Sequence, residues 1–204
     1  MTHDRLDFIR FLVRQGALRF GDFTLKSGDR SPFFIDLGSI RTGLALAELG
    51  RYLAEELDRS FPQANVLFGP AYKGISLATA AAVAAAGRSG RDLALTFDRK
   101  ESKDHGEGGL FIGHRPNAGD RIVIVDDVMS SGGTKVAAME AIERVFGVRP
   151  IGTLVTVDRA RKDAGVDRVA LGLVSLASVL DLHRYLEVEG HPKAGEVMSF
   201  YLGG

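Results

Sequence analysis

The sequence predicts an α/β protein: a central, mainly parallel sheet flanked by helices, with a small N-terminal cap. Three observations point there. Short apolar runs at 66–68, 93–97, 122–125, 151–157 and 169–176 alternate with helical patterns, the order that builds a doubly wound sheet. Residues 122–125 are β-branched throughout, which marks a strand buried on both faces. The chain has 204 residues, enough for one substantial domain with its own core.

Taken in order, Leu6, Ile9, Leu12 and Val13 fall at helical spacing within 4–15. From 17 to 40 the chain turns irregular or short-stranded, punctuated by Gly21, Gly28 and Pro32. About residues 1–40 are read as the cap. Leu44, Leu46, Leu49, Leu53 and Leu57 mark a helix over 43–58. The strand at 66–68 stops at Gly69-Pro70, and an alanine-rich helix able to pack closely covers 74–86. After the strand at 93–97, residues 99–109 are charged and glycine-rich without a core pattern, which predicts a mobile loop. The strand at 122–125 leads to a helix from about 134 to 146. Two further strands and a last helix over roughly 178–188 complete the layout. No repeat, low-complexity tract or linker divides the chain, so 1–204 reads as a single domain.

Composition removes several classes. Lys plus Arg and Asp plus Glu number 26 each, which argues against a broad basic face for nucleic acid. There is no cysteine, so thiol catalysis, disulfides and cysteine metal sites are excluded. The charged N-terminus lacks the apolar core of a signal peptide, and the longest apolar run, 77–86, is too short to span a bilayer. A cytoplasmic protein without a membrane partner is expected.

Four polar clusters interrupt this layout. In the first, Asp126 and Asp127 fall at the carboxyl end of a strand, where open α/β sheets bind ligands. Ser130, Ser131, Gly132, Gly133 and Thr134 follow, offering hydroxyls and unhindered N–H groups at a helix start, which suits a phosphate monoester. Carboxylates suit sugar hydroxyls or a metal-bound ligand, so the pattern asks for a ribose carrying a phosphate. Either half alone would be an ordinary capped turn, and no Gly-Lys-Ser/Thr closes a Walker loop. The second cluster is 69–74, where Lys73 at a helix N-terminus could hold an anion. In isolation it would be a turn with a surface lysine. The third places Arg99, Lys100, Lys103 and His105 just before Gly106, Gly108 and Gly109. Most such loops are merely solvated, but this one could close over a polyanion. The fourth sets Phe34 beside Lys26, with Arg159 at another strand end. That combination suits a flat heterocycle bearing a carboxylate.

On these residues the chain resembles the orotate phosphoribosyltransferases, which are type I phosphoribosyltransferases. Residues 125–134 are similar to the signature for 5-phosphoribosyl 1-diphosphate (PRPP) found across type I members. The stretches 25–28, 31–34, 69–74 and 99–108, with Asp158-Arg159, point to orotate. The resemblance implies a type I phosphoribosyltransferase fold with a hood. It also implies Mg-dependent transfer of 5-phosphoribosyl to N1 of orotate, giving orotidine 5′-monophosphate and diphosphate in UMP biosynthesis. Asp126 and Asp127 would bind the ribose hydroxyls, while Val128, Met129 and Ser130 to Thr134 would hold the 5-phosphate. Tyr72, Lys73, Arg99, Lys100, Lys103 and His105 would contact the diphosphate, and Lys26 would reach both substrates. Orotate would rest on Phe34, Ile35, Ser130 and Arg159. Lys103, His105 and Asp127 form the implied catalytic set, with Lys103 the leading stabiliser of the leaving group. Mg2+ would arrive mainly on PRPP without a protein cage, and a homodimer with shared sites is implied. The rivals are a purine phosphoribosyltransferase and a non-catalytic PRPP-sensing regulator of the same fold. Two departures stand out: Ile35 replaces a frequent second aromatic, and the C-terminus is short.

Overall fold

The structure is a computed structural model that describes residues 4–25, 28–99 and 110–203. Helix α1 (Arg5–Arg14) begins where the Asp4 side chain accepts from the Leu6 N–H, and it buries Phe8, Ile9, Phe11 and Leu12. An antiparallel hairpin follows, β1 (Leu18–Thr24) and β2 (Arg30–Ile35), with a register shift between Phe20 and Phe23. Thr42 caps α2 (Gly43–Ser60), and β3 (Val66–Gly69) leads into α3 (Lys73–Ser89). Then come β4 (Ala94–Asp98), β5 (Phe111–Gly113), β6 (Ile122–Met129), α4 (Gly133–Phe146), β7 (Gly152–Asp158) and β8 (Leu173–Ser178). Helices α5 (Val179–Val188) and α6 (Ala194–Leu202) end the chain.

The larger sheet has the order β5-β4-β3-β6-β7-β8, parallel except for the antiparallel edge strand β5. From β3 the chain proceeds through α3 to β4 on one side, and from β6 through α4 to β7 on the other. The order reverses between β3 and β6, so a crevice opens at their carboxyl ends, the usual ligand position in open sheets. Both sheet faces are dry. Val123 and Val125 join the cluster containing residues of α1, α2, α3 and α5, while Ile122 and Ile124 join the α4 cluster with Met139 and Ile142. This is the two-residue period of a strand buried on both sides. Helices α2 and α3 approach closely, since a Cβ on Gly50 would lie 2.5 Å from the Ala80 carbonyl oxygen.

Several elements differ from expectation. Strand β6 does not stop at Val125 but runs through both carboxylates to Met129, because Thr156 on β7 binds the Asp127 carbonyl and pairing resumes at Val128. The region from 17 to 40, expected to be irregular or short-stranded, takes the second form as the β1–β2 hairpin. The strand expected over 169–176 begins only at Leu173, after a turn closed by Gly172 at φ +49. The C-terminus forms a second helix, since Gly190 (φ +61) and Pro192 break the helical run. The cap is therefore not confined to the first 40 residues: the Phe200 ring of α6 meets the Phe33 ring of β2 edge-on at 5.1 Å.

Far from the carboxyl-end crevice, Asp120 braces the entry to β6. Its carboxylate accepts from Asn65 Nδ2 (3.0 Å), Asn117 N (2.9 Å) and Asn117 Nδ2 (3.1 Å), and meets His114 Nε2 at 2.8 Å. Burial pushes its pKa up, but the hydrogen bonds from His114, Asn117 and Asn65 together hold it below its usual value. A carboxylate lowered on folding contributes stability that is present above its unfolded pKa of about 4 and is lost as pH falls through the folded value. Asp120→Ala should cost about 2–3 kcal/mol at neutral pH in denaturant unfolding. The gap from the unsubstituted protein should narrow below about pH 4.

Candidate active site

Strand geometry divides the two carboxylates. Continuing the alternation of β6, Asp126 turns to the α4 side and Asp127 to the α3 side. Asp126 Oδ2 lies 2.6 Å from Lys135 Nζ, and Asp127 Oδ2 lies 3.1 Å from Lys73 Nζ. In each carboxylate, Oδ1 accepts the next residue's main-chain N–H, at 2.8 Å from Asp127 N and 2.7 Å from Val128 N. They do not form one acidic patch; they are two lysine-paired carboxylates with fixed orientations.

Beyond Met129 the chain turns through Ser130 and Ser131, both exposed, to Gly132, which adopts φ +82 as the N-cap of α4. No side chain caps this helix, and the exposed Ser130, Ser131 and Thr134 place hydroxyl residues beside its first N–H groups, a set that suits a phosphate. Gly133 and Thr134 are exposed as well. Val128 is half-buried and Met129 is buried beneath the turn.

The neighbouring turn after β3 is packed tightly onto β6. A Cβ on Gly69 would come within 2.4 Å of the Gly74 carbonyl oxygen, and one on Gly74 within 2.9 Å of the Val125 carbonyl oxygen. The Ala71–Tyr72 peptide is cis. Asp98, at the end of β4, accepts from the Ala71 N–H at 2.5 Å. Lys73 is half-exposed and also lies 3.7 Å from Asp36 Oδ1, so it links the crevice to the segment leaving the hairpin. Tyr72 is exposed. Arg99 follows β4, and its buried Nε has no hydrogen-bond partner among the described residues.

On the cap side Phe34 and Arg159 belong to separate ring clusters. Alternation along β2 buries Phe33 and leaves Phe34 half-buried on the other face. The Arg159 guanidinium lies over the Phe33 ring at 5.7 Å and the Phe200 ring at 6.0 Å. Phe34 instead meets Phe23 at 5.5 Å and carries the Arg19 guanidinium at 5.4 Å. Ile35 is half-buried at the end of β2. Burial pushes the Arg159 pKa down, with Asp29 opposing; guanidinium remains charged throughout the ordinary pH range. The Arg159 N–H donates to the Met129 carbonyl at 2.9 Å, which ties this cation to the phosphate turn. Between hairpin and α6 lies a cavity of about 810 Å3 lined by Phe23, Arg30, Ser31, Pro32, Glu196 and Phe200.

Lys26, Lys100, Lys103 and His105 lie outside the described residues. Sequence reasoning missed Lys135, Asp36, Asp98, Phe33 and Phe200. Only Lys135 carried a local signal, as a lysine in the first turn of a helix whose N-terminal end repels cations. Among the described residues, no cluster of three or more His, Asp or Glu side chains could hold a metal ion.

Residues 36–178 match the phosphoribosyl transferase domain. The chain is 42% identical to an orotate phosphoribosyltransferase of Thioalkalivibrio sulfidiphilus, with 97% of each chain covered. It is 48% identical to one of Xanthomonas euvesicatoria, covering all of this chain and 89% of that one. The crystal structure of a Francisella tularensis orotate phosphoribosyltransferase superposes with a TM-score of 0.80 at 29% identity, over 96% of each chain. Two lysine-paired carboxylates at the sheet's reversal point, an open phosphate turn and full-length similarity of this degree lead to one assignment: the chain belongs to the orotate phosphoribosyltransferase family.

Proposed function

We infer that the protein transfers 5-phosphoribosyl from PRPP to N1 of orotate, releasing diphosphate and orotidine 5′-monophosphate, as a cytoplasmic step of UMP synthesis. The observation that carries this reading is a half-buried Arg159, stacked on Phe33 and Phe200 and anchored to the phosphate turn. A desolvated guanidinium in that position favours a base bearing a carboxylate. A purine would leave that cation unanswered, and a PRPP-sensing regulator would have no need of it.

Asp126 and Asp127 receive the ribose hydroxyls, and residues 130–134 receive the 5-phosphate. Lys73, Arg99 and the basic residues Lys100, Lys103 and His105 meet the diphosphate, Tyr72 flanks it, and Lys26 contacts both substrates. Phe34, Ile35 and Ser130 border the base. The C1–diphosphate bond breaks ahead of bond formation to N1, so the ribose becomes oxocarbenium-like. The demand on the enzyme is then the charge growing on the leaving group. A donor already aimed at that charge lowers the barrier by about 3–4 kcal/mol. Lys103 is assigned that part, His105 can deliver a proton to the departing diphosphate, and Asp127 holds the ribose while its charge changes.

In this reading Mg2+ arrives mainly on PRPP, close to the lysine-paired carboxylates Asp126 and Asp127. Bound to PRPP, the ion neutralises diphosphate charge. A homodimer with shared sites is part of the same reading. It is supported by a groove of about 540 Å3 between α2 and α3, lined by Leu46, Ala80 and Val83. Val83 is strongly exposed there, an apolar surface of the kind that subunits cover.

With PRPP and Mg2+, diphosphate release should occur with orotate and not with adenine, hypoxanthine or uracil. Arg159→Ala should raise the KM for orotate by about thirtyfold or more, the loss from truncating one partner of a desolvated charge pair. Activity confined to a purine, or none with any base, contradicts the reading. Lys103→Ala should lower kcat by about a hundredfold or more while PRPP affinity changes little; an unchanged kcat would remove Lys103 from the leaving-group role.

A further inference from the structure

The two lysines that pair with the carboxylates differ in a way that separates their work. Lys73 is half-exposed and reaches the crevice. Lys135 is 5% exposed, and its Nζ is taken up by Asp126 Oδ2 at 2.6 Å and the Val128 carbonyl at 2.8 Å. Its place is also costly: a buried ammonium in the first turn of α4 sits at the positive end of the helix. A residue of this kind needs an explanation beyond packing, and none of the PRPP or orotate contacts proposed above uses it.

We propose that Lys135 is a positioning residue for ribose recognition: it holds Asp126 oriented so that the carboxylate can accept the ribose hydroxyls of PRPP. The geometry carries the step. Asp126 Oδ2 takes Lys135 and Oδ1 takes the Asp127 N–H at 2.8 Å, which fixes the side chain from both ends. Each oxygen keeps lone-pair capacity for a hydroxyl donor. The second hydrogen bond, to the Val128 carbonyl, ties the same ammonium to the main chain between the carboxylates and the phosphate turn. The ribose and 5-phosphate subsites are thereby held at one spacing.

This inference rests on the PRPP-binding reading, so its test is a binding measurement that needs no base. Calorimetric titration would compare PRPP, ribose 5-phosphate and inorganic diphosphate against the unsubstituted protein, Lys135→Met and Lys135→Arg. Lys135→Met should weaken PRPP and ribose 5-phosphate by about tenfold or more, the loss expected when a reacting contact is misplaced. Diphosphate, which has no ribose, should change less than about twofold, and Lys135→Arg should recover most of the loss because it retains the charge. In steady state the KM for PRPP should rise while the KM for orotate holds. If Lys135→Met does not fold, Lys135→Gln, which keeps a donor for the Val128 carbonyl, should show the same selective loss. Unchanged ribose 5-phosphate affinity, or an equal loss for all three ligands, overturns the proposal. Failure of both neutral variants to fold does so too, because Lys135 would then be holding the fold. Failure of the unsubstituted protein to bind PRPP would instead overturn the functional reading itself.

Discussion

The two-residue period of strand β6 is the constraint on which the site depends. Because successive side chains leave a strand on opposite faces, adjacent carboxylates at its end cannot serve as a single acidic patch. Asp126 is directed to the helix on one face and Asp127 to the helix on the other, and each meets a lysine from that helix's first turn. The arrangement offsets four charges that would each be unfavourable alone: two carboxylates near a phosphate site and two ammonium groups at helix N-termini. It also joins α3, β6 and α4 at the point where the order of the sheet reverses.

The same end of the sheet gathers the other polar groups without distorting the core. The turn after β3 can lie against β6 only because Gly69 and Gly74 leave no room for a Cβ. Asp98 holds that turn from β4, and the Arg159 N–H holds the phosphate turn from β7. Three parallel strands thus carry the ligand-facing turns on a scaffold whose two faces are dry. The hairpin and α6 lie over the β7 side of this crevice, where the edge-on rings of Phe33 and Phe200 leave Arg159 half-buried. The proposed choice of a base bearing a carboxylate rests on that cation.

Much of this was legible in the sequence because it depends on short-range pattern. The β-branched run at 122–125, the paired carboxylates and the hydroxyl- and glycine-rich turn are contiguous, so their order along the chain is also their order in space. The alternation of strands and helices likewise read out the parallel sheet. What escaped detection depends on long-range packing. Phe200 is about 40 residues from Arg159, and nothing local shows that α6 returns to the hairpin. Phe33 went unnoticed beside Phe34 because adjacent phenylalanines look alike until the hairpin register decides which one faces inward. Strand β6 outran its apolar stretch because tertiary pairing with β7, and not side-chain propensity, sets where a strand ends. Lys135 was overlooked for a related reason: a lysine in a helix is ordinarily a solvated residue, and its burial is visible only in three dimensions.

The central claim is that the β3–β6 crevice binds the ribose through two separately oriented carboxylates, while the cap binds the base through Arg159. A crystal structure with orotate and a non-reactive PRPP analogue tests it most directly. The account predicts ribose hydroxyls within hydrogen-bonding distance of both Asp126 and Asp127, the 5-phosphate in the 130–134 turn, and the orotate carboxylate against Arg159. A ribose bound away from these carboxylates, or an orotate carboxylate facing solvent with Arg159 still stacked on its phenylalanines, would contradict it.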